Sequence, residues 1–317
     1  MKAKTLVKAA AIGTGAVAGV SFALFNETLN SQAKLFNAVR DSVSDKKGIQ
    51  LVKPDKKDER KIWFNSCDFK EYSITNPAGH TLKGSLIPSE TGSDVFVFCS
   101  HGYRSSGKFD FAYIAKFYHD LGYNVFMPDH RGHGSSEGKY IGFGYHESGD
   151  CLLWLDYLKQ LFGEDIRFIL HGVSMGSGTV TLMSGDAALP ENVKFIVADC
   201  GYTSAWDEFK HDMKYVYLPA MPFLYGANIW NKIFNGFDFK DCSPIDSVKR
   251  AKVPMLFIHG DCDDFVPTYM VHQLYAAYEG EYKDLLLVKG AAHAESYLAD
   301  SASYESKVKE FIDKFID

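Results

Sequence analysis

The chain has 317 residues, of which 46% are hydrophobic, and a formal net charge of −6. This length and apolar content are enough for one α/β domain with a full core and short appendages. The acidic balance, with no cluster of Lys and Arg beyond the first sixty residues, argues against a nucleic-acid partner.

The first 25 residues predict a signal peptide or a membrane anchor. Lys2, Lys4 and Lys8 precede a charge-free run over residues 9–25, which as a helix would span roughly 25 Å, a marginal length for a bilayer core. In either case the positive charges stay on the cytoplasmic side of the membrane, and the following domain is extracytoplasmic, either membrane-anchored or secreted. The alternative is a peripheral or buried helix on a cytoplasmic protein.

Residues 26–61 are polar and rich in lysine, and we interpret them as a stalk. Leu29, Ala33, Phe36 and Val39 or Val43 have the spacing of a short amphipathic helix within it.

From residue 62 to residue 317 the pattern predicts one domain. Partial alternation over residues 62–75 and 80–88, separated by Asn76-Pro77-Ala78-Gly79, predicts a two-stranded hairpin. Apolar runs then alternate with helical patterns. The predicted strands are 94–100, 123–128, 166–170, 193–198, 254–259 and 284–288, and the predicted helices lie around 111–121, 145–162, 269–278 and 304–316, with another directly after residue 174. This alternation indicates a mostly parallel sheet covered on both faces by helices, with the hairpin at its edge.

The strand that ends at Leu170 runs into Gly172-Val173-Ser174-Met175-Gly176, the G-x-S-x-G pattern of a nucleophile elbow. The serine must sit on a sharp strand-to-helix turn, where a Cβ on either flank would collide with crossing backbone. On its own the pattern is weak, because a glycine-rich chain can match it by chance. The alternative is a serine in an ordinary turn.

No strand is predicted between residues 201 and 252, where the chain is rich in aromatic residues. An insertion of this length between two strand ends would act as a helical cap over the serine, and its apolar character implies an apolar part of the substrate. Simple packing of a helical layer is the alternative.

A serine hydroxyl needs a base, and the base needs a group that fixes its tautomer. Candidates follow the last two strands. The strand 254–259 leads into three carboxylates, Asp261, Asp263 and Asp264, and the strand 284–288 leads into a single histidine, His293.

Taken together, these features resemble the α/β-hydrolase family, and more closely its bacterial serine aminopeptidase-like or esterase-like branch. The matching motifs, which cover residue 62 to the C-terminus, are His101-Gly102-Tyr103, Asp129-His130-Arg131-Gly132-His133-Gly134, Gly172-Val173-Ser174-Met175-Gly176, His259-Gly260-x-x-Asp263-x-x-Val266-Pro267 and Ala292-His293. The resemblance implies a catalytic triad of Ser174, Asp263 and His293, with Asp261 as the alternative acid. It also implies an oxyanion hole formed by the backbone N–H groups of Tyr103 and Met175.

These residues predict a serine hydrolase that acts through an acyl-serine intermediate, without a metal or an organic cofactor, on a small ester or amide. A carboxylesterase needs only the triad and an apolar acyl pocket. An aminopeptidase would also need carboxylates for the substrate ammonium, and Asp207, Glu208 and Asp212 are available. A binding protein on an idle hydrolase scaffold is the alternative from another class.

Overall fold

The computed structural model describes residues 2–33, 57–216 and 219–316, with the side chains of residues 2–14 and 216 excepted. The main domain is built on an eight-stranded sheet with the order β1-β2-β4-β3-β5-β6-β7-β8. The strands are β1 Lys70–Thr75, β2 Thr81–Ile87, β3 Val95–Ser100, β4 Asn124–Pro128, β5 Arg167–Val173, β6 Val193–Asp199, β7 Met255–Gly260 and β8 Lys283–Val288. β2 pairs antiparallel with both β1 and β4, and the other pairs are parallel.

Helices cover both faces of this sheet. They are α1 Lys2–Leu29, α2 Glu59–Ser66, α3 Gly107–Asp110, α4 Ala115–Asp120, α5 Tyr145–Phe162, α6 Met175–Ser184, α7 Ala205–Asp212, α8 Ala220–Phe234, α9 Pro244–Val248, α10 Tyr269–Ala277, α11 Ser296–Ala299 and α12 Ser301–Phe315. A short 3₁₀ helix, Met213–Val216, follows α7.

The side-chain alternation of the central strands explains the two cores. In β3, Val95, Val97 and Cys99 face a core that includes α12, whereas Phe96 and Phe98 face a second core with α5 and α10. Every residue of β3 is buried. Burial on both faces explains why the sequence of this strand is a nearly continuous apolar run. The predicted α/β-hydrolase architecture, with its antiparallel hairpin at the edge, is confirmed.

Two local predictions were wrong. Residues 62–66 belong to α2 rather than to a strand, because the Asp58 side chain accepts the N–H of Arg60 and caps a helix there. Of the helix expected around residues 111–121, only α4 forms, and a turn over residues 111–114 separates it from α3. All six cysteines are free thiols, and Cys99 and Cys200 are buried.

The N-terminal segment, predicted to be an anchor over residues 1–25 and a stalk over residues 26–61, contains α1. α1 continues to Leu29, and its second half packs against α8, with Phe25 and Leu29 buried in a third apolar cluster. Among the described residues, no helix combines the length and apolarity needed to cross a membrane, which does not support the predicted transmembrane helix. Residues 34–56, including most of the expected amphipathic helix, lie outside the described residues.

The chain between β6 and β7 contains α7, the 3₁₀ helix, α8 and α9. Aromatic residues from α7, α8 and the following loop form the third apolar cluster, which packs on Met175 directly after the elbow serine. α9 instead contacts α6, beneath the cluster. The polar motifs that follow β3, β5, β7 and β8 therefore meet under this cap, at the carboxyl ends of the parallel strands.

Candidate active site

Ser174 occupies the turn between β5 and α6 with φ 57° and ψ −118°. L-residues seldom adopt a positive φ, so the turn is strained and is held by its surroundings. A Cβ on Gly172 would lie 2.2 Å from the carbonyl oxygen of Gly176, and a Cβ on Gly176 would lie 1.9 Å from that of Ser100. The two glycines are therefore required for backbone segments to cross at this point, as the elbow pattern predicts.

His293 connects the serine to a carboxylate. Its Nε2 lies 2.8 Å from Ser174 Oγ, and its Nδ1 lies 2.8 Å from Asp263 Oδ2. The carboxylate accepts a hydrogen bond from Nδ1–H. The proton therefore stays on Nδ1, and Nε2 is free to accept the hydrogen bond of the serine hydroxyl. The three side chains come from loops after β5, β7 and β8, and sheet order alone brings these loops together.

Asp263 is held in place by further donors. Its Oδ1 accepts the backbone N–H groups of Phe265 and Val266, each at 2.9 Å, and its Oδ2 lies 3.2 Å from His259 Nε2. Burial alone would raise the pKa of this carboxyl, but His293 and His259 outweigh burial and lower the pKa well below its usual value. The competing carboxylate, Asp261, instead accepts the N–H of Gly290 and caps a turn.

The pKa of His293 is raised above its ordinary value of 6.5. Burial disfavours the imidazolium, but the charge of Asp263 and the hydrogen bond to it outweigh this effect, with a smaller contribution from Asp199. The site can therefore stabilise the imidazolium that a general base becomes on taking a proton.

The loop after β3 forms the opposite wall of the cleft around Ser174 and His293. Gly102 packs so closely that a Cβ there would lie 3.3 Å from Ser174 Cβ. Asp110 Oδ2 accepts the Gly102 N–H at 2.7 Å, and Oδ1 accepts the Ser105 hydroxyl. Tyr103 lines this cleft, and Met175 follows Ser174 as the first residue of α6.

Two buried histidines brace this loop as neutral rings. His133 Nδ1 donates to the Arg131 carbonyl and Nε2 accepts the Arg104 N–H at 3.0 Å. His101 Nδ1 donates to the carbonyl of Gly102, and its Nε2 accepts the backbone N–H of His130 at 2.9 Å. Burial lowers the pKa of His133 to about 3 and that of His101 to about 4.

Sequence reasoning missed several residues that support the site. Asp199, at the end of β6, is buried and accepts the hydroxyls of Ser296 and Tyr304, and burial raises its pKa to about 6. Its position at a strand end beside the elbow strand was the available signal. For Asp110 and Arg104 no sequence signal existed, because their partners are known only from the fold.

The three carboxylates considered for an ammonium site have different surroundings. Asp207 bonds to Ser204 and Thr203 at the start of α7. Glu208 is fully buried, and neither of its carboxyl oxygens has a partner among the described residues. Asp212 lines an apolar cavity under the cap. Burial raises the pKa of Asp212 to about 7 and that of Glu208 well above its usual range.

A mostly parallel sheet with a strained serine at the β5–α6 turn, and a histidine and a carboxylate after later strands, defines the α/β-hydrolase fold. Within that fold, the chain belongs to the prolyl oligopeptidase family, whose sequence model matches residues 109–317. The predicted family resemblance is confirmed.

The chain is also similar to individual proteins and solved structures. The chain is 29% identical to the uncharacterized protein YqkD of Bacillus subtilis, over 80% of this chain and 82% of that protein. A match to the zebrafish lysophosphatidylserine lipase ABHD12 is 28% identical but covers 49% of this chain and 39% of the lipase. Among solved structures, the Pyrococcus furiosus esterase Pf2001 superposes with a TM-score of 0.65 at 25% identity, over 80% of this chain and 93% of the esterase.

Proposed function

We propose that this protein is a serine hydrolase that cleaves carboxylic esters through an acyl-serine intermediate. The observation that carries the proposal is the double contact of His293, at 2.8 Å from both Ser174 Oγ and Asp263 Oδ2. A base in this position can take the serine proton while a carboxylate holds its tautomer. The likeness to an esterase in overall structure supports the same class of reaction.

In the proposed reaction Ser174 Oγ attacks the ester carbonyl carbon, and its proton passes to Nε2 of His293. The tetrahedral intermediate collapses, and the departing alcohol takes that proton. Water then attacks the acyl-serine, again with His293 as base, and releases the carboxylic acid and the free serine. Backbone N–H groups of Tyr103 and Met175 are the proposed donors to the developing oxyanion, where each such donor is typically worth about 3 kcal/mol.

A second candidate is hydrolysis of a peptide or amide with a free ammonium group. The observation that favours it is a pair of carboxylates, Glu208 and Asp212, one turn apart on α7. The charge of Asp263 affects the pKa of Glu208, and the charge of His293 affects that of Asp212, so both carboxylates lie near the triad. Against it, burial raises the pKa of both carboxyls, that of Asp212 to about 7, so neither offers a substrate cation a fully ionised partner at neutral pH. The ester therefore remains the first candidate.

A panel of p-nitrophenyl esters and aminoacyl-naphthylamides, run on the full chain, separates the two. Hydrolysis of the esters alone supports the carboxylesterase. Release of naphthylamine that is lost in Glu208→Gln and Asp212→Asn, with ester hydrolysis retained, would replace it by the aminopeptidase. A chain that cleaves neither class and does not react at Ser174 would be a binding protein.

A further inference from the structure

The second half of α1 lies directly on the cap helix α8. Trp230 Nε1 donates to the carbonyl of Ala18 at 3.1 Å, and the Trp230 ring meets Phe22 edge to face with centroids 5.2 Å apart. The helices lie close together at Gly226, where a Cβ would lie 2.2 Å from Ser21 Oγ. α1 is therefore fitted to α8 along its apolar face.

The C-terminal end of α1 is held by the same loop that lines the cleft around Ser174. The Arg104 guanidinium donates to the carbonyls of Glu27 and Asn30 at 2.8 Å and to that of Ala33 at 2.6 Å. The Tyr103 hydroxyl donates to the carbonyl of Thr28. The last carbonyls of a helix lack helical partners. Arg104 and Tyr103 satisfy those of Glu27 and Thr28, and Arg104 also binds the carbonyls of Asn30 and Ala33, which follow the helix. The loop and the end of α1 thus form one bonded unit.

An apolar cavity lies between α1 and the cap. It is lined by four residues of α1, namely Leu24, Phe25, Thr28 and Leu29, and by Phe209, Asp212, Met213, Leu224, Ala227 and Phe239 from the cap. Asp212 is the one ionisable group among these lining residues, and burial favours its neutral form. The cavity therefore suits a hydrocarbon group rather than a charged one.

We propose that this cavity binds the hydrocarbon acyl chain of the ester substrate, so that α1 is a specificity element of the active site. The inference rests on the proposed ester hydrolysis and names the acyl class within it. It implies that residues 24–29 act in chain-length selection, a role separate from the anchor expected of the N-terminal segment.

Three contacts connect the cavity with the proposed site. Thr28, in the cavity wall, bonds to Tyr103, which lines the cleft around Ser174. Met175, the residue after the serine, packs in the same apolar cluster as Phe25 and Leu29. Asp212, also in the wall, is close enough to His293 for each to shift the other's pKa. In the proposed complex, an acyl chain bonded to Ser174 extends toward the cap and enters this cavity.

The test compares two substitutions on adjacent residues of α1. Leu24→Trp fills the cavity, whereas Ala23→Trp places the same side chain on the exposed face. Each buried methylene contributes about 0.8 kcal/mol, which is about fourfold in kcat/KM. We expect the octanoate-to-acetate ratio of kcat/KM for p-nitrophenyl esters to fall by at least about 10-fold in Leu24→Trp and to stay near wild type in Ala23→Trp.

An unchanged ratio in Leu24→Trp would overturn the inference while leaving ester hydrolysis intact. Should Leu24→Trp lose all activity, Leu224→Ala on the opposite wall provides a second test, because it enlarges the cavity and should raise the decanoate-to-octanoate ratio. No change in that ratio would also overturn the inference.

If the wild type cleaves no ester, the proposed function fails on its own. Decanoate binding to Ser174→Ala by calorimetry, weakened about 10-fold by Leu24→Trp, then tests the cavity alone, and equal binding would refute it.

Discussion

His293 is the residue on which the chemistry of this site depends. Its ring is fixed between Asp263 and Ser174, and Phe265 packs against it with centroids 4.9 Å apart. Asp263 in turn accepts two backbone N–H groups, so the carboxylate cannot rotate without breaking several hydrogen bonds. The arrangement determines which nitrogen of the imidazole carries the proton.

Replacing Asp263 by Asn should therefore lower kcat for ester hydrolysis by about four orders of magnitude, because an amide favours the wrong tautomer of the histidine. Steady-state kinetics of the purified variant measure this. Asp261→Asn is the matched control, since Asp261 bonds to Gly290 rather than to His293, and we expect it to retain near wild-type kcat. A large loss confined to Asp261→Asn would show that the acid has been misassigned.

The pH profile tests the same histidine. A general base must be neutral, and the pKa of His293 is raised above 6.5, so kcat/KM should fall on the acid side with a midpoint above pH 6.5. Asp263 stays ionised throughout, since its pKa is lowered. Because burial raises the pKa of Asp212 to about 7, the profile is repeated with Asp212→Asn. A midpoint below pH 6, or one that disappears in Asp212→Asn, would contradict the assignment to His293.

At the scale of elements, the contact between α1 and α8 was the least predictable feature. The apolar run of residues 9–25 suits a bilayer and a protein surface equally well, because both remove apolar side chains from water. The continuous apolar sequences of β3 and the other buried strands, by contrast, fit one architecture, a parallel sheet covered on both faces. Strand positions were therefore predicted closely, whereas the placement of α1 required the fold.

A pair of glycine substitutions measures how tightly the two helices fit. In Gly226→Ala the new Cβ would meet Ser21 at 2.2 Å, so we expect a lower melting temperature and weaker ester hydrolysis as α1 shifts. Gly149→Ala, in the exposed interior of α5 with open space around it, should instead stabilise by about 0.5–1 kcal/mol. Thermal denaturation of both variants compares them, and a Gly226→Ala protein as stable as Gly149→Ala would refute the close fit.

At the scale of the whole molecule, the sequence predicts most of the proposed site because each of its residues follows a strand. Ser174, Asp263 and His293 lie after β5, β7 and β8, whose carboxyl ends share one edge of the sheet. Supports such as Asp110 and Arg104 escaped prediction because they act on backbone groups and leave no motif. For the cavity under the cap, the sequence predicted only an apolar lid. Its second wall is formed by α1, which lies far from the cap in the sequence.

The central claim is that Ser174 is a nucleophile activated by His293. Intact-mass measurement after reaction with a fluorophosphonate tests it most directly, since the reagent modifies activated serines without depending on the natural substrate. We predict one adduct per wild-type chain, located on Ser174, with no adduct in Ser174→Ala and much slower labelling in His293→Ala. A wild type that stays unmodified, or a Ser174→Ala protein that is labelled equally fast, would contradict the claim.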